Sequence, residues 1–306
     1  MSPSRFTVHA MGSVVDVAMI DAPDGSEEWF ADRITHLERT WSRFDRSSEL
    51  VALNVRDADG PAPASELLRL AVQAAVRLWR ATDGWFDPTT LPALEHAGYG
   101  RTFSEVRKVP SASPSQKAPA VPTPVDVIVD DERGTITLPP NVRLDLGGVG
   151  KGLAADLLAR ELVARGAVAA CVSVGGDVAV AGSAPQDAWR IPVTSPLDPD
   201  TVHWEVPLSS GGIAQSSRLV RAWVRNGVSQ HHLIDPFTAA PSDSPIVGAV
   251  VVAEHTWWAE GVAKAALLAG PVAGAALIDR LAHGGWLVWA DGSVTGAGSM
   301  QVVRAA

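Results

Sequence analysis

Apolar and polar residues alternate from Arg5 to Asp21 through Phe6, Val8, Met11, Val15 and Val17. That period of two predicts a half-buried strand, or two strands broken at Gly12. The period then lengthens. Over residues 27–41, Trp29, Ile34, Leu37 and Trp41 fall near one helical stripe. Residues 65–81 make a stronger helix, with Ser65 as its N-cap and Leu67, Leu70, Ala71, Ala74 and Leu78 on one face. Two short strands, 125–130 and 135–138, flank the turn Asp131-Glu132-Arg133-Gly134. A helix over 150–166 precedes strands at Ala169–Val174, 178–181 and 189–193. Next come a strand at Ile246–Ala253, helices at 256–268 and 271–282, and a strand at 286–289. Gly270 followed by Pro271 ends one helix and starts the next.

The pattern is mixed, α/β or α+β, with no internal repeat and no clean linker. It predicts one domain over residues 1–306, interrupted by a Pro/Ser-rich loop or insertion at about 109–124. There Pro110, Pro114, Pro119, Pro122 and Pro124 remove backbone donors.

Charge narrows the function classes. The 306 residues hold 34 acidic and 25 basic side chains, a net charge of −9, which argues against nucleic acid as a partner. A single cysteine, Cys171, excludes an internal disulfide, a four-thiolate zinc site and an iron–sulfur cluster. In a strand pattern it reads as a small buried apolar residue. The N-terminal residues lack the apolar run of a signal peptide, Cys171 lies too far in for lipidation, and no unbroken apolar window reaches about 18 residues. The expectation is a cytoplasmic protein without membrane insertion. Eleven tryptophans against one tyrosine suggest core filling and nothing more.

Four segments could carry chemistry. Leu144-Asp145-Leu146-Gly147-Gly148-Val149-Gly150-Lys151-Gly152 is a glycine-rich turn opening a helix, where amides and helix dipole favour an anion. It is no Walker A motif, because residues 145 and 152 are Asp145 and Gly152. Nor is it a dinucleotide fingerprint, because residue 153 is Leu153. Gly84-Trp85-Phe86-Asp87-Pro88-Thr89 reads locally as an Asp-Pro turn over two aromatics, and Gly175-Gly176-Asp177 as a hairpin turn. In His231-His232-Leu233-Ile234-Asp235-Pro236, adjacent strand positions point to opposite faces, so one histidine could meet a cleft while the other is exposed.

In their order, these segments resemble the ApbE family of FAD:protein FMN transferases. Met11-Gly12-Ser13 is similar to its Met-Gly-Thr. Trp41-Ser42-Arg43-Phe44 with Ser48-Glu49-Leu50 and Leu53-Asn54 is similar to its helix and Ser-Glu-Leu…Leu-Asn segment. Gly84–Thr89 resembles Gly-Ala-Phe-Asp-Pro-Thr, and Asp145–Gly152 with Ala154 and Asp156 resembles Asp-Leu-Gly-Gly-Ile-Ala-Lys-Gly and its trailing aspartate. Residues 172–177 resemble the Gly-Gly-Asp hairpin. His232-Leu233-Ile234-Asp235-Pro236 with Thr238 and Pro241 resembles His-Ile-Ile-Asp-Pro-Arg-Thr-Gly-x-Pro. The match runs collinearly from about residue 8 to 300.

The resemblance implies a single T-fold-like domain with mixed sheets and packed helices. It implies a transferase that moves FMN from FAD to a Ser or Thr hydroxyl of a partner flavoprotein, at an Asp-Gly-x-Ser/Thr type of motif, and releases AMP. Met11, Phe44, Trp85, Phe86, Asp87, Asp145, Lys151 and Ile234 would contact FAD. His232 would activate the acceptor hydroxyl, with Asp235 and Lys264 beside it. Mg2+ would be held at Gly148 and at the helix that reads Ala259-Glu260-Gly261-Val262-Ala263-Lys264 here.

That helix departs from the family pattern Ala-Asp-x-x-[Ala/Ser/Asp]-Thr. Glu260 stands for the aspartate and Lys264 for the threonine, and an ammonium is no magnesium ligand. At i and i+4, Glu260 and Lys264 are expected to pair with each other. Either Lys264 is a built-in cation beside the diphosphate, or the metal and the transfer are both lost. Three functions stay open at this level: FMN transfer, flavin binding without catalysis, and FAD pyrophosphatase action.

Overall fold

The computed structural model describes residues 3–56, 60–106, 119–225, 227–299 and 303–304. The expected insertion lies outside them up to residue 118; residues 119–124 form neither helix nor strand.

The first alternating stretch folds as a hairpin, Ser4–Ala10 against Ser13–Ile20, turning at Met11 and Gly12, both with positive φ. It edges an eight-stranded sheet, continued in space by Ala169–Val174, Asp177–Gly182, Gly211–Ser217, Ile246–Ala253, Gly284–Trp289 and Val294–Gly298. Every strand pair among the described residues is antiparallel, so the fold is α+β. Among the described residues seven α-helices accompany it: α1 (Ser26–Trp41), α2 (Glu49–Asn54), α3 (Glu66–Ala81), α4 (Leu91–His96), α5 (Phe103–Val106), α6 (Gly150–Ala164) and α7 (Thr256–Leu281). Ser65 caps α3 as expected, its hydroxyl accepting from the Leu68 amide.

Both faces of the sheet are covered. Helices α1, α3, α6 and α7 lie on one; the small sheet of Trp189–Ser195, Asp198–Leu208 and Val303–Arg304 lies on the other. This explains why Ile246–Ala253 is apolar at nearly every position. Ile246, Ala249, Val251 and Ala253 join the helix-side cluster, while Val247, Val250 and Val252 join the second. Tryptophans 189, 204 and 286 fill that second cluster, with Trp204 and Trp286 5.1 Å apart, in keeping with core filling.

Helix α7 contains both helices expected over 256–282. They meet at Gly270, whose φ of 80° and ψ of −173° break the helical path before Pro271. It is long and apolar enough to cross a bilayer. Here its apolar positions from Trp257 to Leu268 are buried in the core, Trp258 only partly.

The N-cap of α7 is His255, whose side chain makes no cap bond. The cap comes from α6 instead. The buried Asp156 carboxylate accepts from Thr256 Oγ1 and from the Trp257 amide, each at 3.0 Å. This bolts the second turn of α6 to the start of α7. Burial raises the Asp156 pKa, so those donors hold a carboxylate that desolvation disfavours. Asp156→Ala should cost about 2 kcal/mol in denaturant unfolding, the loss of a cap and a buried polar partner. An unchanged midpoint would remove Asp156 from this role.

Candidate active site

The site forms where three elements converge on one ammonium. Lys151 lies in the first turn of α6. Asp177 follows Gly175 and Gly176, whose φ values of 62° and 95° suit the tight hairpin that delivers it. Glu260 projects from the second turn of α7. Lys151 Nζ donates to Asp177 Oδ2 and, at 2.5 Å, to Glu260 Oε1. Glu260 Oε2 accepts from the Gly152 amide at 2.8 Å, and Asp177 Oδ1 from the Gln215 amide at 3.4 Å. The helices approach closely enough that a methyl on Gly152 would stand 2.7 Å from the backbone of Thr256 and Trp257.

One ammonium between two carboxylates leaves the triad one negative charge. Burial raises the Glu260 pKa, with Asp177 adding to the rise and Lys151 opposing it. The carboxylates in turn raise the Lys151 pKa despite its burial.

The expected Glu260–Lys264 pair does not form. Among the described residues Lys264 Nζ has no carboxylate within 4 Å, because a partner from another element has taken Glu260. Lys264 lies on the glycine turn instead. A methyl on Gly148 would stand 3.1 Å from both Lys264 Cδ and Phe86 Cε2, and 3.3 Å from Lys264 Nζ. The ammonium is 5.4 Å from the centroid of the Phe86 ring. Burial lowers its pKa, opposed by Asp145, Glu260 and Asp87 acting through space.

Those carboxylates are engaged elsewhere. Asp145 accepts from the Gly147 amide at 2.9 Å and faces Arg43 Nε at 3.5 Å. Asp87 accepts from the amide and hydroxyl of Thr89 at 2.7 and 2.6 Å; burial nevertheless raises its pKa. The Asp145 amide donates to the Pro88 carbonyl at 2.7 Å, tying the two motifs together. Arg43 also lies over the Phe44 and Tyr99 rings, at 4.0 and 4.5 Å.

His232 completes the cluster. Its backbone amide donates to the Arg221 carbonyl, while its ring Nδ1 is buried without a partner among the described residues. Burial first, then Arg221, Lys264, His231 and Lys151, push its pKa well below the ordinary 6.5. His231 is no exposed counterpart, as had been considered: it is 8% exposed. Its Nδ1 accepts from the Leu233 amide, leaving Nε2 to donate to the Ser242 carbonyl at 2.8 Å.

The remaining candidates spread around this centre. Met11 reaches the start of α6, its Cε 3.8 Å from where Gly150 would carry a methyl. Trp85 packs edge-on against Phe237 at 4.8 Å. Asp235 holds its own turn, accepting from the Phe237 and Thr238 amides at 2.8 and 3.2 Å. Ile234 is 1% exposed, and its side chain packs in a separate core with Leu94, Tyr99 and Trp223. Sequence reasoning singled out neither Arg43 nor the capping by Asp156; a charged residue inside an otherwise apolar helix face was the signal for the latter.

A model of the ApbE family matches residues 11–286. The chain belongs to the ApbE family. A Salmonella typhimurium FAD:protein FMN transferase is 30% identical over 225 residues, 72% of this chain and 64% of that protein. An Escherichia coli protein of the same name is 28% identical over 235 residues, covering 75% and 67%. The chain thus spans about two thirds of the length of these relatives. The fold matches the ApbE protein of Thermotoga maritima with a TM-score of 0.81 at 23% identity, over 96% of this chain and 97% of that one. The apo flavinyl transferase ApbE of Pseudomonas stutzeri matches at 0.78 and 22%, over 99% and 95%.

The donor set of this ApbE chain does not fit the magnesium ion that the family resemblance implies. Glu260 is bonded through both oxygens, Lys264 lies against Gly148, and no group of three or more His, Cys, Asp or Glu side chains among the described residues could hold a metal. A divalent ion about 4 Å from one such ammonium would meet roughly 8 kcal/mol of repulsion at an effective dielectric of 20.

Lys151 carries structural load that its place beside a ligand does not require. Lys151→Met should destabilise the fold by about 3–5 kcal/mol, because two buried carboxylates lose their cation. Glu260→Gln should cost only ~1 kcal/mol, since Asp177 still balances Lys151. Equal losses for both variants in urea unfolding would contradict the triad.

Proposed function

We propose that this chain transfers FMN from FAD to a Ser or Thr hydroxyl of an acceptor protein, releasing AMP. The observation that carries this is His232: an imidazole kept neutral by burial, its Nδ1 without a partner among the described residues and within the electrostatic reach of two lysines, in a family whose named relatives are FAD:protein FMN transferases.

The chemistry follows from these groups. The acceptor oxygen attacks the phosphorus on the FMN side of the diphosphate. A new P–O bond forms to the acceptor as the bond to the bridging oxygen breaks, and AMP leaves with that electron pair. A ring nitrogen of His232 takes the hydroxyl proton, for which a neutral imidazole is required. Negative charge on the phosphate oxygens grows beside Lys264, where a fixed cation lowers the barrier without reorganising. Phe44, Trp85 and Met11 supply apolar surface for the ring systems of FAD. The acceptor is a flavoprotein with an Asp-Gly-x-Ser/Thr type of segment.

Incubation with FAD and such an acceptor domain should yield AMP and a protein band with flavin fluorescence. His232→Ala should lower transfer by about 10²–10⁴-fold while FAD binding persists. AMP without a labelled acceptor would make the chain a pyrophosphatase, and bound FAD that never turns over would make it a flavin binder.

The pH profile tests the histidine separately. Arg221, Lys264, His231 and Lys151 all disfavour imidazolium, so the base stays neutral as pH falls through 6.5. Transfer should lose half its rate only below pH 6.5; an acidic midpoint at or above 6.5 would contradict His232 as the base.

A further inference from the structure

We propose that Lys264 is the cation that receives the diphosphate of FAD, and that this chain binds FAD without a divalent metal. The inference rests on the flavin-transfer reading and specifies how that site handles charge. Every carboxylate near Lys264 already has nearer donors: Lys151 and the Gly152 amide for Glu260, Arg43 and the Gly147 amide for Asp145, Thr89 for Asp87. Lys264 Nζ therefore feels their charge yet makes no ion pair within 4 Å among the described residues. A half-buried ammonium with no carboxylate in contact is a cation left open to an anionic ligand.

Its position suits the ligand. The side chain lies along Gly148, where absence of a side chain leaves backbone and ammonium side by side at the start of α6. The amides of Gly147, Val149, Gly150, Gly152 and Leu153 already donate within the protein, so the ammonium is what addresses a phosphate, as a point charge. Lys151 cannot take this part alone, because two of its three N–H bonds are committed to Asp177 and Glu260. The two departures from the family pattern thus act as one change: Glu260 reaches Lys151 and closes the carboxylate to a metal, and Lys264 supplies the positive charge in its place.

The test measures equilibrium binding of FAD, and of riboflavin, which lacks phosphate, to the full chain in excess EDTA or in millimolar MgCl2. FAD affinity should change less than about twofold between the two conditions. Lys264→Met should weaken FAD by about tenfold or more, one charge-assisted contact, leave riboflavin binding unchanged and not lower the unfolding midpoint. The double variant Glu260→Asp with Lys264→Thr restores both family ligands, and its FAD affinity should become magnesium-dependent. Magnesium tightening FAD binding to the wild type about tenfold would overturn the proposal while leaving flavin transfer standing. An unchanged FAD affinity in Lys264→Met would overturn it too. Failure of the wild type to bind FAD in either condition would sink the transfer reading together with this one.

Discussion

The ammonium of Lys151, shared by Asp177 and Glu260, is the interaction on which the site's geometry depends. It joins the first turn of α6, the Gly175–Gly176 hairpin and the second turn of α7, three elements that only the tertiary fold brings together. Asp156, bonding from α6 to the start of α7, fixes the same junction one turn further along. With both contacts in place, the start of α6 and the second turn of α7 are held together, and Lys264 lies against Gly148 of the glycine turn.

Much of the architecture was legible because periodicity reports burial. The stripe of α3 and its Ser65 cap, the hairpin at Gly12 and the doubly buried strand Ile246–Ala253 each follow from local pattern. The strand Asp198–Leu208 was not anticipated. Its buried apolar residues, Trp204, Val206 and Leu208, gather at one end, while residues 198–202 are largely exposed, Val202 included. Alternation over so few positions gives too weak a signal.

The candidate site was legible by motif order and misread at one pair. Spacing of i to i+4 favours Glu260 with Lys264 by a few tenths of a kcal/mol. A buried ammonium delivered from α6 outweighs that, and no helical pattern can reveal a partner 109 residues away. Ile234 sits in a family motif, and what the motif could not show is that its side chain serves a core with Tyr99 and Trp223. His232 shows the complementary case, where a histidine unremarkable by spacing gains its character from burial and surrounding cations.

An acidic chain, with a net charge of −9, must present positive charge locally to hold a dianionic ligand. On the proposal above, Lys264 carries that charge in place of a metal. A crystal structure of the chain with FAD, grown with manganese as an anomalous-scattering stand-in for magnesium, tests this most directly. It should place a diphosphate oxygen about 3 Å from Lys264 Nζ, with the Lys151–Glu260 bond intact and no anomalous peak at Glu260. A metal ion ligated by Glu260, with Lys151 displaced from it, would contradict the account.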